Sequence, residues 1–205
     1  MSDASKIALI VGMDTYDNND LDQLPSCKSD AEDLHELLRA KFGYTIFGDE
    51  PIIGSKLTKN YGWAQVHKAI SEFFNIAKPS QTLLFYFSGH GITKGGEVYL
   101  ATPSVDPKNP FPEGFSLSKL TDLMGQSKSK QLVGIIDACF AGAANIPNKR
   151  LRKKALKLKL IPQQLIMIKY GRRFERQKEF IFCYHVNRMR LLMQKKMAIA
   201  FILNI

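Results

Sequence analysis

Two short apolar runs, each breaking abruptly into small and reactive residues, constrain this chain more than anything else in it. The first is Thr82–Phe87 (TLLFYF), followed by Ser88-Gly89-His90-Gly91; the second is Leu132–Ile136 within LVGIIDACFAG, followed by Asp137-Ala138-Cys139. Runs of this length and composition suit strands buried on both faces, as in a parallel sheet covered by helices. A residue just past such a strand lies at the sheet's carboxyl edge, where open α/β sheets place their sites. The two runs therefore predict a histidine and a thiol delivered to one edge.

Each residue alone has a bland explanation. A single Cys in an apolar segment is usually a small buried hydrophobe, and a single His is more often structural than catalytic. The joint pattern changes that: strand–SGHG, then strand–DACFAG, with His90 standing 49 residues before Cys139. Glycines on both sides of His90 let the backbone approach closely, and small residues after Cys139 leave room for a substrate carbonyl. A His about 50 residues upstream of the reactive Cys is a known caspase signature, so the pattern is recognised and not deduced. The chain resembles the caspase/metacaspase superfamily of cysteine peptidases (peptidase C14), and within it the prokaryotic and metacaspase-like branches. One departure is Asp137, where caspases carry Gln.

The resemblance implies an α/β fold, a caspase-like three-layer sandwich with a mostly parallel sheet. It also implies a cysteine endopeptidase working with a dyad. Cys139 would be the nucleophile, and His90 the base that later protonates the leaving amine. The backbone N–H groups of Gly91 and Cys139 would form the oxyanion hole. The substrate would be a protein or peptide, with no metal and no cofactor needed; a calcium requirement stays open. Caspases that cut after Asp need arginines in the receiving pocket. Residues 1–148 hold one, Arg39, in the middle of a helical segment. The positions matching the metacaspase substrate pocket carry acids instead, Asp30 and Asp137, which suits a preference for cleavage after Arg or Lys. Plainer roles exist for both: a helix N-terminal charge for Asp30, a loop hydrogen bond for Asp137.

Taken in order, Lys6–Gly12 (KIALIVG) reads as the first strand and Met13–Pro25 as a polar loop. Ser29 and Glu32 form an S-x-x-E capping box before a helix bearing Leu34, Leu37 and Leu38, which Gly43 closes. Tyr44–Phe47 reads as a strand. Thr58–Ala77 reads as a helix with Val66, Ile70, Phe73, Phe74 and Ala77 on its core face and His67 on its solvent face. Thr93–Gly96 is expected to turn, Glu97–Ala101 to form a hairpin arm, and Leu117–Met124 a short helix leading into the Cys139 strand. Strands alternating with helices give a doubly wound sheet.

Charge divides the chain in two. From Lys149 onward there are 16 Lys and Arg against two Glu, a net of +14, so residues 1–148 carry 13 basic against 17 acidic side chains. The expected organisation is a caspase-like catalytic domain over 1–148 and a basic tail over 149–205. The tail has no Asp and only Gly171 as glycine; it is read as unrelated to the usual second half of the fold, leaving the sheet without its C-terminal strands. Arg150–Leu160 could form a basic amphipathic helix, and Met197–Ile205 is apolar but short. From charge alone such a tail could serve as a nucleic-acid or membrane-surface arm or bind an acidic partner, with no specific nucleic acid indicated. Three cysteines without CxxC spacing, no signal-peptide pattern and no run long enough for a membrane span suggest a reducing, cytoplasmic setting. The competing expectation is an inactive, truncated caspase-like interaction domain.

Overall fold

The computed structural model describes residues 5–129, 131–141 and 169–171, with the backbone alone described at 139–141 and 169–171. The first apolar segment is strand β1 (Lys6–Gly12), followed by helix α1 (Pro25–Phe42) and two short strands, β2 (Thr45–Ile46) and β3 (Ile52–Ile53). Helix α2 (Gly62–Asn75) leads to β4 (Thr82–Lys94), which turns back into β5 (Glu97–Leu100). After β6 (Phe115–Ser116) and α3 (Leu117–Gln126) comes β7 (Gln131–Ala141), and β8 (Lys169–Gly171) is the last described element.

Strands β2, β3 and β4 each pair parallel with β1, and β7 pairs parallel with β4, giving the spatial order β2-β1-β4-β7. β1 pairs with β4 over Lys6–Gly12 against Thr82–Ser88. From Gly91 onward, antiparallel β5 takes over that edge of β4, while β7 follows the other edge from Thr82↔Gln131 to Ile92↔Ala141. The β4–β5 hairpin closes on Gly95-Gly96, both at positive φ (59° and 80°). Two consecutive left-handed residues make the tight hairpin loop whose twist matches the strands.

Alternation along β4 divides the core into two. Leu83, Phe85 and Phe87 pack with Val66, Ile70, Phe73, Leu120 and Met124 in the layer of α2 and α3. Leu84 and Tyr86 pack with Ala31, Leu34 and Leu38 of α1 on the other face. This is the expected three-layer α/β sandwich with a mostly parallel sheet.

Several boundaries differ from expectation. β4 and β7 do not stop at Phe87 and Ile136 but carry the reactive residues within the ladder, because Ser, Gly and Ala tolerate extended backbone. α1 begins at Pro25, whose fixed φ suits the first helical turn, so Ser29 and Glu32 lie inside the helix and form no capping box. Gly43 does end it, at φ 66°, with its N–H on the Leu38 carbonyl. α2 starts four residues later than read, since Asn60 takes a left-handed φ of 65° just before it. The tail, read as supplying no strand, contributes β8, antiparallel to Gln131–Val133 of β7. The segments read as a basic helix (150–160) and an apolar end (197–205) lie outside the described residues.

Candidate active site

Chain order and spatial order disagree at one place. From β1 the chain moves outward to β2, then returns across β1 to β4 and on to β7. The carboxyl ends of β1 and β4 thus flank a topological switch point, where such sheets form their crevices. The loop 13–24 leaves β1 there, and His90 lies two residues past the end of the β1–β4 ladder.

That loop is firmly braced. Asp14, 6% exposed, accepts from the Ser55 N–H at Oδ1 and from Ser55 Oγ at Oδ2, both at 2.7 Å. Tyr16 and Gln23 exchange two hydrogen bonds of 2.9 Å between the Gln amide and the Tyr backbone. The Tyr16 hydroxyl donates to the Met13 carbonyl (3.2 Å) and accepts from the His90 N–H (2.9 Å). Burial pushes that phenol far up, so it stays a neutral hydroxyl. Its ring lies 4.9 Å from the imidazole. Gly89 makes this possible: a Cβ there would stand 2.9 Å from the Tyr16 hydroxyl and from Phe87 Cζ.

The His90 imidazole reaches the loop through Nε2, 2.9 Å from the Asp22 carbonyl. A carbonyl can only accept, which assigns the proton to Nε2 and leaves the Nδ1 lone pair for another partner in the neutral ring. His90 and Cys139 are register partners on adjacent parallel strands. Neighbouring strands lie about 4.8 Å apart and in-register residues share a face, so backbone geometry alone makes the two positions neighbours. The Cys139 side chain lies outside the described residues. The His90 carbonyl accepts from the Ala101 N–H (2.9 Å), so the N–H and C=O of His90 both serve the β1/β5 edge. Successive strand residues turn these groups to opposite edges, which directs the Gly91 N–H toward β7.

The two acids expected beside the dyad converge as well. Asp137 is the register partner of Ser88, and Asp30 lies on α1, which packs on the face that carries Tyr86. Burial raises the Tyr86 phenol well above its usual range, and the neighbouring Asp137 and Asp30 carboxylates push it the same way. Both acids are therefore close to one buried hydroxyl, which also hydrogen-bonds to Ser88.

Comparison with protein families matches residues 5–196 to the caspase domain of peptidase C14. The chain belongs to the caspase-domain family. The match runs through most of the tail as well as the sheet. No curated protein matches the chain. Among solved structures, protein GSU0716 from Geobacter sulfurreducens is similar at 14% identity and a TM-score of 0.47, over 77% of this chain and 58% of that one; the caspase-domain chain thus spans under two thirds of that protein's length.

Of the residues named from the sequence of this caspase domain, His90 and Cys139 are register partners and Asp30 and Asp137 both lie near Tyr86. Nothing in the sequence pointed to Asp14, Tyr16, Asp22 and Gln23, which brace the loop and His90. Those four sit in a polar loop with no periodicity, and Asp22 contributes only a carbonyl, which every residue has. His67 also needs correcting. Read as solvated, it is half-buried between Trp63 and Phe115, with ring centroids 5.4 and 4.8 Å away. The helical stripe marks the core face but gives no sign of the 110–114 loop that folds over its border. Among the described residues no helix is long and apolar enough to cross a membrane.

Proposed function

We propose that this caspase-domain protein is a cysteine endopeptidase in which His90 activates Cys139 and basic residues are preferred at the cleaved position. The observation that carries it is the register pair His90↔Cys139. Nδ1, left free by the Nε2 bond to Asp22, takes the thiol proton; the thiolate attacks the scissile carbonyl, and the imidazolium returns the proton to the leaving amine. The N–H groups of Gly91 and Cys139 hold the oxyanion. For this, the β4–β7 ladder beyond His90 has to part, and substrate entry is the event that parts it. Asp30 and Asp137 receive the substrate cation, with the Tyr86 hydroxyl beneath them.

The test is turnover of peptides ending in Arg, Lys or Asp by the full chain. Cys139→Ala and His90→Ala should abolish cleavage while leaving the circular dichroism spectrum unchanged. Asp30→Asn or Asp137→Asn should each lower kcat/KM on Arg peptides by about 1.5–3 kcal/mol, the size of a charge-assisted hydrogen bond. A preference for Asp substrates would overturn the pocket assignment and leave the dyad standing. The unbroken pairing through Ile92↔Ala141 also suits a non-catalytic interaction domain. That reading gains if the wild-type chain neither turns over these peptides nor is labelled at Cys139 by an electrophilic arginyl probe.

A further inference from the structure

On the face of the sheet away from α1, a cleft of about 240 Å³ is lined by Trp63 and His67 of α2, Tyr99 of β5, Phe111 and Pro112 of the following loop, and Lys119 of α3, among others. Its walls are built and held. The Glu113 carbonyl accepts from both the His67 ring (3.0 Å) and Thr102 Oγ1 (2.9 Å), tying the loop to α2 and to the exit of β5. Gly114 donates its N–H to the Pro110 carbonyl at 2.6 Å. A Cβ on Gly114 would meet that oxygen at 2.9 Å and Tyr99 Cβ at 3.1 Å, so the loop lies against Tyr99 only because glycine stands there.

Among the described residues, the large hydrophobics left exposed are Tyr61, Ile76 and Phe111. Phe111, 69% exposed, stands on the rim of this cleft, and Tyr61 caps the α2 end nearest Trp63. Aromatic surface held out of a core beside a formed recess is a mark of an interaction site. The charges point further. Glu97, the acid in the lining, is already engaged by the N–H and hydroxyl of Ser118 and the N–H of Val98. Lys119 lies over the Phe115 ring, 5.1 Å from its centroid, and has no carboxylate within ion-pair reach among the described residues. His67 is neutral here, its pKa pushed down to about 4 by burial and by Lys119.

We propose that this cleft is a docking site for one aromatic side chain of an acidic peptide segment on a partner protein. The ring lies among Trp63, Tyr99 and Phe111, and a carboxylate next to it in the peptide meets Lys119. The volume falls below the usual small-molecule range of about 300–1,000 Å³ and matches a single aromatic residue. The net charge of +14 on the chain's own residues from 149 onward makes them a poor match for Lys119, so the occupant comes from another protein. The site lies on the other layer from Asp30 and Asp137, and the inference is independent of the peptidase reading.

Trp63 is the chain's single tryptophan, so its emission reports this cleft alone. The full chain is titrated with the blocked peptide Glu-Asp-Phe-Asp-Glu, with the same peptide carrying Ala for Phe, and with one carrying Lys for every acid. A saturable change with the first peptide alone is expected. Lys119→Gln and Phe111→Ala, both at exposed positions, should each weaken binding by about tenfold, the loss of one good contact, with unchanged thermal melting. No saturable change with the acidic phenylalanine peptide would overturn the proposal. Equal affinity for the basic peptide, or wild-type affinity in both variants, would overturn it too.

Discussion

At the scale of single residues, the placement of His90 depends on a glycine and a hydroxyl. Gly89 lets Tyr16 reach the His90 backbone, and Tyr16 in turn closes the loop whose Asp22 carbonyl fixes the imidazole. Gly89→Ala should cost about 1–3 kcal/mol, the usual penalty for forcing extra volume into a packed site. Tyr16→Phe keeps the ring but leaves the His90 N–H unpaired, which costs about 1–3 kcal/mol when such a group is buried. Urea denaturation measures both. If the dyad reading holds, Tyr16→Phe should also lower kcat more than it raises KM, since it disturbs the base and not the substrate pocket.

At the scale of elements, what the sequence revealed and what it hid have a common cause. β1, the β4 and β7 runs and the stripe of α2 were readable because burial imposes a period on them. Their ends were not, because small residues such as Ser88, Gly89 and Ala138 permit strand or loop equally and the neighbouring strand decides. The start of α1 was misplaced because a capping box and an N-terminal proline competed, and the proline lay earlier. The pairing of His90 with Cys139 was legible through a known spacing; the groups that brace His90 were not, since they are carbonyls and loop side chains without pattern. His67 joins α2 to the 110–114 loop and yields a pH prediction. The folded protein keeps its imidazole neutral down to pH about 4, whereas an unfolded histidine takes a proton near pH 6.5. Below that value the unfolded state binds a proton that the folded state refuses, so stability should fall as pH drops from about 6.5 to about 4. His67→Gln, which can still donate to the Glu113 carbonyl, should flatten this part of the profile in denaturant midpoints at pH 7 and pH 5. An unchanged slope would show that other groups control it.

At the scale of the whole molecule, β4 separates two cores of unequal size. Among the described residues, 23 buried side chains gather on the α2–α3 side and 11 on the α1 side. Folded proteins open in parts, and the part with less apolar burial opens at lower free energy. The thin layer is also the one that carries Asp30, Asp137 and Tyr86. Native-state hydrogen exchange should therefore find α1 amides exchanging by a partial opening of lower free energy than the one that releases α2. Equal protection of the two helices would mean that the layers open as one unit. If they open apart, a protease could nick α1 in an otherwise folded chain, and the lifetime of the candidate site would be set by that local excursion and not by the melting temperature.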